Sequence, residues 1–302
     1  MLKNQFLLPA YANPIPLHNA KNPVAYVDIS TNGYHARTSH ILSATLTREV
    51  EGSWTEYRFA AEDGIESDDY SILEMLMLCL EKAGTIYTFY GTSFLIPFLT
   101  EKCRLYRIPN GLSSPDHIDL AALLRPLYTF LHLPSRRMED YLAVLPDPSS
   151  IPPVVALTHL LPYLSILHGK GHVIEIRSDS DGSHIYIDLQ LDEAVPSAVS
   201  YRAGNMSLHC EQSKATLCAT VEDGCIRLYF DTPADYVFLP IEGYAVHRSV
   251  ASSLPADRAV RCTYDTCYTR IDPNKVTQNA DHMETFLRSA FTYIRRTCGL
   301  YS

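Results

Sequence analysis

Tyr26-Val27-Asp28-Ile29-Ser30-Thr31-Asn32-Gly33 is the stretch on which the reading of this chain turns. Val24 to Ile29 is a short β-branched run suited to a central buried strand, and Asn32-Gly33 is a turn signal that follows it. An aspartate thus stands near the end of a buried strand. Ser30 points to the same side as Asp28, because alternate residues of a strand share a face.

Working outward, the first half of the chain alternates strand and helix signals. Ile41 to Thr47 and Thr55 to Phe59 read as further strands of a meander around Glu51-Gly52. Asp69 to Lys82 carries Ile72, Leu73, Leu76, Met77 and Leu80 at helical spacing, and Gly84 follows as a stop. Thr85 to Tyr90 reads as another buried strand, with helical patterns over Ser93 to Cys103, His117 to Leu131 and Val154 to His168. Pro146, Pro148, Pro152 and Pro153 mark a loop inside this half, and Gly169-Lys170-Gly171 is the better boundary. Beyond it, His184 to Leu191 alternates polar and apolar, and Leu217 to Val221 and Ile226 to Phe230 flank the hairpin signal Glu222-Asp223-Gly224. Helices are expected over Tyr244 to Ser253 and His282 to Arg296.

A chain of 302 residues is long enough for two domains, each with its own core. Hydrophobic content of 46% and charged content of 20% mark an ordinary globular protein rather than a disordered one. The net charge of −9 disfavours broad, non-specific gripping of polyphosphate. Arg136-Arg137 and Arg295-Arg296 are too short to count as a basic patch. No stretch approaches the apolar length that spans a bilayer, and the apolar run at Phe6 to Ala12 is too short, and broken by Pro9, for a secretory signal. The eight cysteines are scattered without a C-x-x-C pair, which suits reduced, buried thiols and a cytoplasmic location.

The first motif, Asp28-Ile29-Ser30 followed by Thr31 and Gly33, resembles the D-x-E motif of ribonuclease-H-like 3′-5′ exonucleases of the DEDD type, with Ser30 where the glutamate belongs. Tyr90-Gly91-Thr92-Ser93-Phe94-Leu95-Ile96-Pro97-Phe98-Leu99 is similar to the second motif, N-G-x-x-F-D-x-P-F-L, with Tyr90 replacing asparagine and Leu95 replacing the metal-binding aspartate. His117-Ile118-Asp119-Leu120 matches the family's H-x-D-L, and His159 with Tyr163 would fall on H-N-x-x-D, with Tyr163 at the last ligand. The resemblance covers about residues 22 to 170 and is nearest to the bacterial YprB-like branch. Three later blocks are similar to the same branch: Asp235 to Pro240, Ala245 to Ala251 with His247, and Cys267-Tyr268-Thr269-Arg270.

The resemblance implies an α/β fold: a ribonuclease-H-like mixed five-stranded sheet with flanking helices over residues 1–170, then a smaller α+β domain rich in antiparallel strands over 171–302. In that family four carboxylates clamp two divalent metals. Here Asp28 alone remains, and the positions of Ser30, Leu95 and Tyr163 are degenerate. Tyr90, Gly91, Phe94 and His159 are the expected binding positions, and of these Gly91, Phe94 and His159 keep the family's residue. The expected function is that of a degenerate exonuclease homologue without nuclease activity, retained to bind nucleic acid or a protein partner, with no cofactor and no membrane. One alternative is an active exonuclease using Mg²⁺ or Mn²⁺ at Asp28 with ligands relocated to Asp119, Glu139 or Asp140. The other is a protein-interaction module acting through the C-terminal domain. His247 and Ser249, two apart on the expected helix, would not face each other, and Cys262 and Cys267 lack a second pair for zinc. There is no G-x-S-x-G elbow, P-loop or G-x-G-x-x-G.

Overall fold

The computed structural model describes residues 2–15, 17, 20–61, 69–230, 236–239, 244–247, 260–262, 267–271 and 273–299. These part into two compact units: residues 1–125 with 133–161, and residues 126–132 with 162–302.

The first unit is built on a mixed sheet of six strands: β1 (Leu2–Leu7), β2 (Val24–Thr31), β3 (Ile41–Val50), β4 (Ser53–Ala60), β5 (Thr85–Thr88) and β6 (Asp116–Asp119), in the order β1-β4-β3-β2-β5-β6. β3 runs antiparallel to β2 and β4, whereas β5 and β6 run parallel to β2. The five strands β4-β3-β2-β5-β6 have the ribonuclease-H-like arrangement, a three-strand meander extended by two parallel strands. The sixth strand corrects the expected five. Leu2–Leu7 adds to the outer edge antiparallel to β4, with Leu2 opposite Ala60 and Leu7 opposite Thr55.

Strand alternation decides the two faces of β2. Ala25, Val27 and Ile29 pack into a core with Leu46 and Phe59 of the sheet, with Ile72, Leu73 and Leu76 of helix α1 (Asp69–Leu80), and with Phe98 and Leu99 of helix α2 (Ile96–Tyr106). Tyr26 faces the other way and stacks on Tyr87 at 4.9 Å, with Trp54 edge-on at 5.7 Å. Asp28 and Ser30 follow Tyr26 on this second face.

Three expected helices differ in the structure. Residues 117–131 divide into strand β6 and two short helices, Leu120–Leu123 and Leu127–Phe130. The register of β6 against β5, Ile86 opposite His117 and Thr88 opposite Asp119, claims the first residues for the sheet. The pattern over 154–168 is broken into Pro153–Thr158 and Leu161–Leu167, with His159 closing the first piece. Tyr244–His247, expected as the start of a helix, is a strand paired with Tyr236–Leu239. Residues 248–253 lie outside those described.

The second unit is an antiparallel assembly. Its strands β7 (His172–Ser178), β8 (His184–Gln190), β9 (Val199–Ala203), β10 (Met206–Glu211), β11 (Lys214–Glu222) and β12 (Cys225–Phe230) are followed by β13 (Tyr236–Leu239), β14 (Tyr244–His247), β15 (Val260–Cys262) and β16 (Cys267–Ile271). β11 is shared, pairing with β8 and β10 along most of its length and with β12 at its end. The C-terminal helix Ala280–Thr297 is capped by Asn279, whose side chain accepts from the Asp281 and His282 amides. Its buried face carries Phe286, Ala290, Phe291 and Ile294. No helix among the described residues is long and apolar enough to cross a membrane.

Candidate functional site at the strand ends

Because β2, β5 and β6 are parallel, their C-terminal ends share one edge, bringing Asp28, Thr88 and Asp119 to the same end of the sheet. The Asp28 carboxylate is partly buried, and its Oδ1 accepts the Ile29 amide at 3.0 Å. Burial holds its pKa above the usual carboxylate range, with that hydrogen bond pulling the other way. Ser30 is exposed.

The loop after β5 makes a tight turn. Tyr90 sits in the left-handed region, with φ of 56°, and its hydroxyl donates to the Arg136 carbonyl at 3.1 Å. Gly91 opens a single π-helical turn, Gly91–Leu95, that feeds directly into α2. A Cβ on Gly91 would lie 1.8 Å from Thr88 Oγ1 and 2.5 Å from His117 Nε2, so no side chain fits there. The neighbours that exclude it form a pair of their own, with Thr88 Oγ1 and His117 Nε2 2.8 Å apart. Burial lowers the His117 pKa, and the nearby Asp119 charge opposes that shift.

Leu95 is 1% exposed and belongs to the α1/α2 core, the cluster that also holds Val27 and Ile29. It therefore packs on the face of β2 opposite to Asp28. Phe94 packs against the same core and meets the ring of Tyr34 edge-on at 5.8 Å. Tyr34 is 85% exposed and Tyr90 44%, so two aromatic rings flank the π-turn in solvent.

The carboxylates to which metal ligation could have shifted have other duties. Asp119 caps the helix Leu120–Leu123: Oδ1 accepts the Ala121 amide at 3.0 Å, and Oδ2 accepts the Thr92 amide at 2.9 Å. Asp140 accepts the Ser135 hydroxyl in a short hydrogen bond, and Glu139 is exposed. Among the described residues, no group of three or more His, Cys, Asp or Glu is placed to hold a metal ion. The described residues therefore do not supply the several oxygen ligands, converging on one point, that a pair of hard divalent ions such as Mg²⁺ or Mn²⁺ needs.

His159 is in the first unit. Its Nε2 is buried without a hydrogen-bond partner among the described residues, and burial lowers its pKa against a hydrogen bond to the Asn13 backbone. Tyr163 falls in the second unit, fully buried, where its hydroxyl donates to the Ser197 carbonyl at 2.6 Å and accepts the Ser197 amide at 3.2 Å. His247 lies at the end of β14, opposite Tyr236, and Cys267 and Tyr268 open β16, with Cys267 opposite Cys262 in register.

The Thr88–His117 pair was not singled out by the sequence reading beyond the H-x-D-L match. The available signal was period two: His117 and Asp119 alternate on a strand end, as Asp28 and Ser30 do.

No protein-family model and no curated protein sequence matches the chain. Among solved structures it is similar to exonuclease I, with 11% identity and a TM-score of 0.37 over 63% of this chain and 55% of that one. It is also similar to E. coli exonuclease I in complex with a dT13 oligonucleotide, with 10% identity and a TM-score of 0.36 over 92% and 73% of the two chains. A family B DNA polymerase from the hyperthermophilic archaeon Pyrobaculum calidifontis shows 12% identity and a TM-score of 0.36 over 91% and 46%. The chain thus spans little more than half the length of the first of these. The fold itself rests on strand order and register: an α/β unit with a mixed six-stranded sheet of ribonuclease-H-like arrangement, and a second unit of antiparallel strands.

Proposed function

We propose that the first unit is a ribonuclease-H-like exonuclease scaffold that no longer hydrolyses phosphodiesters and is kept for binding, with single-stranded nucleic acid as the ligand. The observation that carries this reading is the strand-end donor set. A single partly buried Asp28 is accompanied by an exposed Ser30, a core Leu95 and an Asp119 committed to two backbone amides. Two-metal catalysis needs four carboxylates at such a place; removing them leaves a surface that can hold a strand but not cut it. The exposed rings of Tyr34 and Tyr90 beside the π-turn are the kind of platform on which unpaired bases stack.

The test is calorimetric titration of Mn²⁺ into the parent chain and into Asp28→Ala, with a nuclease assay on labelled single-stranded DNA and RNA beside it. The expected result is no Asp28-dependent metal binding and no degradation, together with oligonucleotide binding that weakens in Tyr34→Ala. Micromolar Mn²⁺ binding lost in Asp28→Ala, with degradation of the oligonucleotide, would instead establish an active exonuclease with a rebuilt site. A second reading, a protein-interaction module working through the C-terminal unit, draws support from the net charge of −9, which repels polyanions.

A further inference from the structure

A groove of about 490 Å³ lies along the outer face of α1, walled on its other side by the loop 107–114. Helical phase gives α1 this second face. Ile72, Leu73, Leu76 and Leu80 point into the core, and at 3.6 residues per turn Tyr70, Glu74, Leu78 and Glu81 fall on the opposite side. Backbone packing holds the loop against the helix: a Cβ on Gly111 would lie 2.7 Å from the Met77 carbonyl oxygen. Asn110 fixes the shape of the loop, with Oδ1 accepting the Leu112 amide at 3.1 Å and Nδ2 donating to Thr100 Oγ1 of α2 at 3.4 Å. Arg107, in the left-handed region with φ of 57°, ends α2 and turns the chain into this wall.

The base of the groove is apolar and its rim is not covered. Met77 and Ile108 are buried at the base, while Leu78 is 61% and Tyr70 43% exposed. Apolar side chains exposed singly are ordinary, but here they stand over a preformed apolar groove, which is the form of a helix-receiving surface. The charges lie on opposite walls. Glu74 and Glu81 are exposed on the helix side, seven residues and hence about 10 Å apart along the axis, with Leu78 between them. Among the described residues neither carboxylate has a cationic partner, and Glu74 Oε1 accepts the Tyr70 hydroxyl at 3.2 Å. Arg107 on the facing wall leaves the lining with a negative charge in excess.

We infer that this groove receives an amphipathic helix of a protein partner, one that lays a leucine-like side chain beside Leu78 and carries Lys or Arg on either side of it. Cations seven residues apart on a helix repeat the separation of Glu74 and Glu81, and an apolar residue three or four positions from each shares their face. Contact with Leu78 and the apolar base supplies the affinity, and the exposed carboxylates set partner choice and register. The surface is separate from the strand ends: it uses neither Asp28 nor the rings of Tyr34 and Tyr90, and it holds whether or not nucleic acid binds there.

The probes are three fluorescein-labelled helical peptides of one leucine pattern, carrying Lys, Gln or Glu at two positions seven apart that flank a leucine. Fluorescence anisotropy measures their binding to the full chain, to Leu78→Ser and to the double variant Glu74→Gln/Glu81→Gln. Two controls accompany them: Leu7→Ser, at an apolar residue 72% exposed outside the groove, and Glu175→Gln/Glu193→Gln, which removes the same charge from the second unit. The Lys peptide should bind at least about tenfold more tightly than the Glu peptide, and Leu78→Ser should weaken it by about tenfold. Glu74→Gln/Glu81→Gln should bind the Lys and Gln peptides alike, and both controls should behave as the parent. The inference is overturned if the parent binds none of the three, if it binds the Glu peptide best, or if Leu78→Ser binds the Lys peptide as the parent does. It is equally overturned if Glu175→Gln/Glu193→Gln loses as much, since the net charge of −9 alone would then attract the peptide. Sedimentation that finds the parent dimeric and Leu78→Ser monomeric would give the groove to a second copy of this chain, and overturns it too.

Discussion

Asp28 carries opposite pressures. Burial penalises its charge, while the Ile29 amide favours it, and the net effect raises the pKa. A carboxyl with a raised folded pKa binds its proton more tightly in the folded chain than in the unfolded one. The resulting stabilisation is fully present below the ordinary aspartate range and is lost as the pH rises through the raised value. Asp28→Asn removes the charge and can still accept the Ile29 amide through its side-chain oxygen. Thermal melts should therefore find the variant more stable than the parent at about pH 7, with the difference shrinking toward about pH 4. A variant that is less stable at neutral pH would mean that the carboxylate has a favourable partner. The left-handed Tyr90 and the crowded Gly91 show the same economy at their own positions: backbone geometry at this edge is set by what lies against it, not by local preference.

At the level of elements, one buried ion pair ties the sheet to both helices of the first core. Asp69, in the first turn of α1, accepts the Ile41 amide of β3 at 2.8 Å, Lys102 Nζ of α2 at 2.5 Å and the Tyr106 hydroxyl at 2.7 Å. The side chains of Lys102 and Asp69 are 3% and 2% exposed, so solvent screens the pair little. Removing one partner strands the other charge in the core. Lys102→Met and Asp69→Asn should each cost about 3–5 kcal/mol in urea unfolding. The double variant should cost less than the sum of the two, by more than about 1 kcal/mol, because its second change removes the charge that the first left unpaired. Additive costs would show that the pair is not coupled.

At the level of the whole molecule, the charge of −9 limits how nucleic acid can be held. That balance disfavours a broad positive face, so a strand is expected to be gripped at a few points. Oligonucleotide affinity should fall with salt at a logarithmic slope of about −2, corresponding to about three phosphates on a single strand. A slope steeper than about −5 would require a basic surface far larger than the local clusters described. Cysteine chemistry fits the same picture of a packed interior. Burial pushes the thiols of Cys103 and Cys298 up to about 11 and that of Cys210 up to about 12.

The sequence by itself determined the elements whose burial is periodic. Val24 to Ile29 and the α1 pattern Ile72-Leu73-Leu76-Leu80 were legible because one buried face imposes a repeat of two or of 3.6 residues. Asp28 and Ser30 were placed on one face by the same rule. Shorter or edge elements were not legible. β6 has four residues and runs into a helix, too few for a period to register, and Tyr244–His247 is an apolar run that fits either state. β1 has only one neighbour, so its exposed Phe6 and Leu7 follow no burial pattern. Only the tertiary structure decided which face Leu95 joins, that Asp119 is spent on two amides, and that Gly111 lies against the Met77 carbonyl of α1. Each of these depends on partners distant in sequence, and side-chain chemistry is set by the neighbours that exclude water and supply charge, which no local pattern encodes.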